Sequence, residues 1–152
     1  MLYDTIPIHV EGTIVDATLT TYLWGNSPEI PISKRPIIVI CPGGGYSWLS
    51  DREGEAIALR FMSMGFHSAI LRYSVAPDRF PAALTQLAKA VSIIREHSIQ
   101  WHIDTDRVVV MGFSAGGHLA ASLGVFWNHP FLSEIVGCST EILQPNGLIL
   151  AY

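Results

Sequence analysis

Apolar residues recur along this chain with two different spacings, and the alternation between them predicts a regular order of strands and helices. Continuous or alternating apolar runs are typical of strands, whereas apolar residues three or four positions apart are typical of helices. The predicted strands are 5–10, 13–23, 37–42, 66–75, 106–112 and 146–152. The predicted helices are 50–65, 81–97 and 114–127.

The order of these elements predicts the fold class. Two strands joined by a turn at Glu11-Gly12 form an antiparallel hairpin, and an alternation of strands and helices follows it. Such alternation predicts a mostly parallel sheet with helices on both faces, an α/β fold in which ligands bind beyond the carboxyl ends of the strands. Ser50 and Glu53, at the start of helix 50–65, have the spacing of a capping box.

Composition narrows the class of protein. The 152 residues suffice for about one domain, so we assign 1–152 to a single domain, and with 49% hydrophobic residues we expect a densely buried core. A net charge of −4 without a basic run argues against a nucleic-acid partner. We see no signal peptide and no apolar run of membrane length, so we expect no membrane partner. Cys41 and Cys138 form no spaced cluster, which predicts a reduced, cytoplasmic protein without a disulfide or a zinc site.

A serine between two glycines follows the strand predicted over 106–112. In Gly112-Phe113-Ser114-Ala115-Gly116, a turn from strand to helix within so few residues strains the backbone of Ser114, and its neighbours two positions away must lack side chains. The serine hydroxyl is then exposed at a helix N-terminus, where N–H groups and the helix dipole favour a developing negative charge. The pattern predicts a nucleophile, and the alternative is an ordinary N-cap serine.

A second glycine segment, Gly43-Gly44-Gly45, follows the strand predicted over 37–42. Consecutive glycines let backbone N–H groups point into a site at close range, as an oxyanion hole for acyl transfer requires. A phosphate-binding loop is one alternative, but the segment lacks the Gly-Lys-Ser/Thr ending and the GxGxxG spacing; a flexible turn is the other. Together the two segments predict the two halves of an acyl-transfer site.

Four segments carry a resemblance to a known family: CPGGGY, LRYSVAP, FPAALTQLAKAVSIIREH and WHIDTDRVVVMGFSAGGHLAASLG. They resemble the α/β-hydrolase fold, and more narrowly the small esterases related to acetyl xylan esterases and to the hormone-sensitive-lipase group. The resemblance covers roughly residues 35–152. Pro42 stands where the hormone-sensitive-lipase group usually has a histidine, which fits the acetylesterase-like branch better. Members of that branch deacylate small esters, often acetylated sugars.

The resemblance implies a role for each site residue. Ser114 is the expected nucleophile, and the backbone N–H groups of Gly44, Gly45 and Ala115 form the expected oxyanion hole. Tyr46 and Trp48 follow the glycine loop, and we assign Tyr46 to the substrate pocket. Arg72 and Tyr73, at the end of a strand near the site, are expected to support its loops.

The remaining members of a catalytic triad do not follow from this chain. In this fold the triad residues occur in the order Ser, then Asp or Glu, then His. The acid follows the seventh strand, and the histidine follows the eighth. We therefore expect both partners beyond Tyr152, in a protein of which this chain is the N-terminal part, and we expect the chain alone to be nearly inactive. His118 and His129 are weaker candidates for the base, since His118 is expected to pack against the sheet. The other histidines are expected on the surface or at strand edges; they are His9, His67, His97 and His102.

The sequence thus predicts a serine carboxylesterase that hydrolyses small acyl esters through an acyl-enzyme, with acetylated sugars as a candidate substrate class and without a cofactor or a metal. A serine exopeptidase or amidase of the same fold remains open, as does a non-catalytic binding module of hydrolase descent. A dinucleotide-binding domain fits less well because the glycine spacing is wrong. The strand predicted near the end should be an exposed, apolar edge, so we expect homo-oligomers or aggregates that form through residues 147–152.

Overall fold

The computed structural model describes residues 1–30 and 32–152, and these residues form one six-stranded sheet with helices on both of its faces. The strands are β1 (Leu2–Ile8), β2 (Ala17–Leu23), β3 (Arg35–Cys41), β4 (His67–Arg72), β5 (Ile103–Phe113) and β6 (Gly147–Ala151). The helices are α1 (Glu55–Ser63), α2 (Ala82–Glu96), α3 (Ala115–Phe126), α4 (Pro130–Val136) and α5 (Thr140–Leu143).

The order of the strands in the sheet is β1-β2-β4-β3-β5-β6. β1 and β2 form the predicted antiparallel hairpin, and β2 pairs antiparallel with β4. The pairs β3–β4, β3–β5 and β5–β6 are parallel. The predicted α/β class, with an antiparallel start and a parallel remainder, is confirmed. The carboxyl ends of β3 and β5 are neighbours, which brings the two glycine segments to the same edge of the sheet.

Alternate residues of β3 enter two separate cores. Ile37, Val39 and Cys41 belong to the larger core, which α2 and α3 cover. Ile38 and Ile40 belong to the smaller core on the other face, where α1 contributes Ala58 and Met62. A central parallel strand that is buried on both faces needs apolar residues at every position, which explains the unbroken apolar run in the sequence.

Two local features differ from the sequence-based expectations. The helix predicted over 50–65 begins only at Glu55, after a short 3₁₀ turn over Asp51–Glu53, and the Ser50 side chain makes no capping hydrogen bond. α4 and α5 were not predicted, because elements of seven and four residues are too short to show helical periodicity. Cys41 and Cys138 are both free. In the described part of the chain, no helix is long and apolar enough to cross a membrane.

His67 is fully buried, so its expected position at the surface or a strand edge is wrong. The Trp24 backbone N–H donates to His67 Nδ1 at 3.0 Å, and Nε2 lies 3.2 Å from the His102 carbonyl oxygen, to which it must donate. These partners hold the imidazole neutral, with its proton on Nε2. Burial, which disfavours the charged form, lowers the pKa of His67 to about 4.

The pKa of His67 generates a prediction about acid stability. The unfolded chain, with a histidine pKa near 6.5, binds a proton below about pH 6.5 that the folded chain does not bind until about pH 4. The contribution of His67 is therefore complete above about pH 6.5 and is lost as the pH falls toward 4. Between pH 7.5 and pH 5, the parent should lose about 2 kcal/mol more unfolding free energy than His67→Gln in urea titrations. An equal loss in both proteins would contradict this account.

β6 presents an apolar edge. It pairs with β5 on one side, and the described residues place no strand on the other. Leu148, Ile149 and Leu150 are 38%, 38% and 54% exposed, and the strand carries no charged residue. Natural edge strands usually carry a charge, a proline or a bulge that discourages pairing with other chains.

We therefore predict that the 152-residue chain self-associates through β6. Leu150→Lys places a charge on the open edge and should shift the sedimentation-velocity distribution toward monomer. Ile99→Lys is the matched control, because Ile99 is 85% exposed and lies in a turn remote from β6 in the sequence. A monomeric parent protein, or an equal effect of both substitutions, would count against association through this strand.

Candidate active site

Ser114 occupies the turn between β5 and α3. β5 ends at Phe113 and α3 begins at Ala115, so Ser114 alone changes the direction of the chain. Its backbone has φ 49° and ψ −114°, a conformation that costs a non-glycine residue on the order of 1–3 kcal/mol. Ser114 is exposed. The strained turn from strand to helix that the sequence predicts is confirmed, whereas the role of the serine as a nucleophile stays a prediction.

The glycines on either side of Ser114 are required by close backbone packing. A Cβ atom at Gly112 would overlap the carbonyl group of Gly116, and a Cβ atom at Gly116 would overlap the carbonyl oxygen of Cys41. The end of β3, the end of β5 and the first turn of α3 therefore touch through their backbones. The spacing of the two glycines around the serine follows from this packing.

Backbone hydrogen bonds fix Ser114 from two sides. Its N–H donates to the Ala151 carbonyl at 2.9 Å, which ties the turn to β6, and its carbonyl accepts from the His118 N–H at 2.9 Å. Among the described residues, no side chain hydrogen-bonds to the Ser114 hydroxyl, and nothing accepts a hydrogen bond from the Ala115 N–H. This N–H lies in the first turn of α3, where the helix dipole favours negative charge.

The glycine loop after β3 is held by residues from other elements. The Gly43 N–H donates to Glu53 Oε2 at 2.7 Å, and the buried Tyr73 hydroxyl donates to the Pro42 carbonyl at 2.5 Å. Glu53 is thus a support of this loop rather than part of a capping box. The expected supporting role of Tyr73 is confirmed, and Arg72 forms an ion pair with Asp51 beside the loop.

The hydrogen bond to Glu53 determines which backbone N–H groups of the glycine loop remain without an acceptor. The N–H of Gly43 has its acceptor, whereas the N–H groups of Gly44 and Gly45 have none among the described residues. Gly44 and Gly45 have φ of 139° and 63°, values that side chains disfavour, and a Cβ atom at Gly44 would overlap the Trp48 carbonyl. Gly44 and Gly45 thus match the sequence-based selection, although their role as oxyanion donors stays a prediction.

The loop and the serine turn meet in one site. A Cβ atom at Gly43 would lie 2.6 Å from the Phe113 carbonyl oxygen and 3.2 Å from Ser114 Cβ. Ser114 and the glycine loop line a common cavity of about 470 Å³, together with Trp48, Arg52 and Glu53. The predicted juxtaposition of the two glycine segments is confirmed. Neither Arg52 nor Glu53 carried a sequence signal for this position.

Tyr46 and His118 join the glycine loop to α3. The Tyr46 hydroxyl and His118 Nδ1 are 2.8 Å apart, and their rings meet edge to face. Tyr46 has φ 57°, its carbonyl accepts from the Ala76 N–H at 2.7 Å, and burial raises its pKa to about 12, so the phenol stays protonated at neutral pH. Tyr46 lines a second cavity, next to that of Ser114, and its role in substrate binding stays a prediction.

His118 is exposed, so the expectation that it packs against the sheet is wrong. Leu119 and Ala120 take the buried positions of this turn of α3, which leaves His118 on the open side. His129 contacts Phe126 and Phe131 and does not line the Ser114 cavity. In residues 1–30 and 32–152, no group of three His, Cys, Asp or Glu side chains is placed to hold a metal ion.

Comparison with known proteins places these features in a family. The model of the BD-FAE family matches residues 26–143. The chain is 35% identical over 130 residues to endo-1,4-beta-xylanase B of Butyrivibrio fibrisolvens, a match that covers 78% of the chain. It is 34% identical over 126 residues to acetylxylan esterase of Xylanibacter ruminicola, with 82% of the chain covered. Among solved structures, it is similar to MGS-M1, an alpha/beta hydrolase enzyme from a Medee basin deep-sea metagenome library, with 40% identity, a TM-score of 0.73 and 80% of the chain covered.

The chain spans only part of the length of these proteins. It covers 19% of the xylanase, 23% of the acetylxylan esterase and 51% of MGS-M1. The part of the chain that matches the family model includes both glycine segments, since residues 26–143 contain Gly43 to Gly45 and Gly112 to Gly116.

The backbone contacts of Gly116 generate a prediction about stability. Gly116→Ala adds a methyl group against the Cys41 and Pro42 carbonyls, and it should lower the unfolding free energy by about 3 kcal/mol. Gly25→Ala is the matched control, because a Cβ atom there meets nothing within 4 Å, and it should change stability by about 0.5 kcal/mol or less. Urea titration measures both. Equal stability of the two variants would show that this packing is looser than described.

Proposed function

Because the chain belongs to the BD-FAE family, an α/β-hydrolase family, we propose that it carries the nucleophile and the oxyanion site of a serine carboxylesterase. The observation that carries this proposal is the cavity shared by Ser114 and the glycine loop. The N–H groups of Gly44 and Gly45, which line it, and of Ala115, which follows Ser114, have no acceptor among the described residues. Donors that are held in place and left without partners suit a site where negative charge develops during a reaction.

The proposed reaction proceeds through an acyl-enzyme. An imidazole removes the Ser114 proton while Oγ attacks the ester carbonyl carbon, and the oxyanion accepts hydrogen bonds from the Gly44, Gly45 and Ala115 N–H groups. The tetrahedral intermediate then expels the alcohol, which takes the proton from the imidazolium. Water attacks the acyl-enzyme with the same imidazole as base, and the acid leaves as Ser114 regains its proton.

The imidazole and its carboxylate partner belong, in this proposal, to sequence outside residues 1–152. Two observations support this. Among the described residues, no histidine hydrogen-bonds to the Ser114 hydroxyl, and the Nδ1 atom of nearby His118 is engaged with Tyr46. The chain also spans about half of the solved α/β hydrolase that it resembles.

We further propose small acyl esters as substrates, with acetylated sugars as the first class to test. The likeness to an acetylxylan esterase supports this choice. Trp48, which is 56% exposed, and Arg52 line the Ser114 cavity, and an aromatic face beside a guanidinium suits a hydroxylated alcohol group. The two free cysteines fit a reducing compartment, so we propose a cytoplasmic protein.

Hydrolysis of p-nitrophenyl acetate tests the serine mechanism, with Ser114→Ala as the background. In a folded protein that contains these residues and supplies an imidazole at Ser114, the substitution should lower kcat by about a million-fold. The 152-residue chain itself should show no turnover above the Ser114→Ala background. Equal activity of the longer protein and its Ser114→Ala variant would exclude Ser114 as the nucleophile. Turnover by the 152-residue chain that requires Ser114 would instead refute the proposed source of the imidazole.

A further inference from the structure

A second cavity, of about 460 Å³, lies beside the Ser114 cavity, between the first turns of α2, the exposed side of α3 and the loop after β4. Its floor is apolar, because Ala82, Leu84 and Leu119 are buried, and Ala83 adds a half-buried methyl group. The aromatic rings of Tyr46 and Phe80 line it as well. A concave site of this size with apolar and aromatic lining is typical of small-molecule binding.

Most polar groups around this cavity already have partners within the protein. The Asp78 carboxylate accepts from the Ile14 N–H at 2.9 Å and from the Val15 N–H at 3.2 Å, which hold the pKa of Asp78 below its usual value. The Ser122 hydroxyl donates to the His118 carbonyl at 2.8 Å, and His118 Nδ1 pairs with the Tyr46 hydroxyl.

Two polar side chains of the lining remain. Ser74 is buried; its hydroxyl has no partner at ordinary hydrogen-bond geometry, although it lies near enough to Asp78 to help lower the pKa of that carboxyl. Arg79 lies at the exposed rim. Few groups are therefore free to bind a sugar, whose hydroxyls would each need a partner, whereas a hydrocarbon needs none.

The Tyr46–His118 pair lines the second cavity and lies next to residues of the Ser114 cavity. The neighbours of Tyr46, Gly45 and Ser47, line the Ser114 cavity, whereas Tyr46 and His118 line the second one. His118 follows Ser114 by one helical turn, whose pitch is about 5.4 Å. An acyl group attached to Ser114 would need roughly four carbons to pass over the pair and reach the apolar floor.

We propose that the second cavity binds the distal part of the acyl chain in esters whose acyl group has about four or more carbons. This assignment rests on the proposed serine esterase function, because the acyl part of the ester lies next to this cavity only if Ser114 is the nucleophile. The contrast between the cavities supports the assignment: the Ser114 cavity has glycines, serines and charged side chains, and the second cavity has the hydrocarbon floor.

Binding of a neutral acyl mimic tests the cavity without any turnover. In ¹⁵N NMR titrations of the Ser114→Ala chain, hexanamide should bind at least about ten-fold more tightly than acetamide. Ala83→Phe fills the cavity and should weaken hexanamide binding about ten-fold or more, and Ser122→Leu, on the opposite wall, is the second filling variant. Ala56→Phe is the matched control, since Ala56 is exposed on α1 and lines neither cavity. Equal binding of the two amides, or equal hexanamide affinity in the filled and control variants, would overturn the proposal.

The ratio of hexanoate to acetate hydrolysis tests the same cavity in an active protein. In p-nitrophenyl ester assays, Ala83→Phe should lower the hexanoate-to-acetate ratio of kcat/KM about ten-fold, while Ala56→Phe should leave it unchanged. An unchanged ratio in Ala83→Phe would overturn the acyl assignment even where hexanamide binds. A protein without esterase activity that still binds hexanamide in this cavity would refute the proposed function and leave an apolar ligand site.

Discussion

Close contact between three backbone segments is the constraint on which the site depends. Where β3 ends, the Cys41 carbonyl touches Gly116, and Gly116 in turn touches Gly112 at the end of β5. No side chain fits between these segments, so the first turn of α3 lies directly against two strand ends. The strain at Ser114 persists because this packing leaves its backbone no alternative path. The exposed hydroxyl is therefore a consequence of the packing of the sheet rather than of the serine itself.

The supply of free N–H groups depends on contacts from distant parts of the chain. Three consecutive glycines could offer three donors, but Glu53 accepts a hydrogen bond from the first of them. The same contact holds the loop in the conformation that leaves Gly44 and Gly45 without acceptors among the described residues. Tyr73 fixes the preceding carbonyl from within the core. One donor is thus used to position the other two, a division of labour that suits a preorganised oxyanion site.

The sequence was sufficient for the order of the strands and the three longer helices, and for the meeting of the two glycine segments. Period-two and period-3.6 patterns depend on which face is buried, and parallel strands bring their carboxyl ends to one edge. Side-chain partners were less predictable. The spacing of Ser50 and Glu53 fits a capping box, yet the carboxylate bonds to a loop ten residues earlier, because tertiary packing offers it a better-placed donor. His67 and His118 were assigned to the wrong environments for the same reason: a lone histidine carries no periodic signal for burial.

The hydrogen bond between Tyr46 and His118 affects both the position of the glycine loop and the shape of the second cavity. Tyr46 follows the glycine loop with a left-handed backbone, and its hydroxyl fixes that loop to α3, the helix that follows Ser114. Tyr46 lines the cavity with the hydrocarbon floor, whereas its chain neighbours Gly45 and Ser47 line the polar cavity. The same ring also contacts Tyr73, whose hydroxyl donates to the Pro42 carbonyl. Tyr46 therefore connects His118, Tyr73 and the start of the glycine loop in one group of contacts. A change at Tyr46 would therefore alter loop position and cavity shape together, whereas a change at Ala83 alters the cavity alone. A substitution at Ala83, unlike one at Tyr46, can therefore change the size of ligand that the cavity accepts without changing the geometry around Ser114.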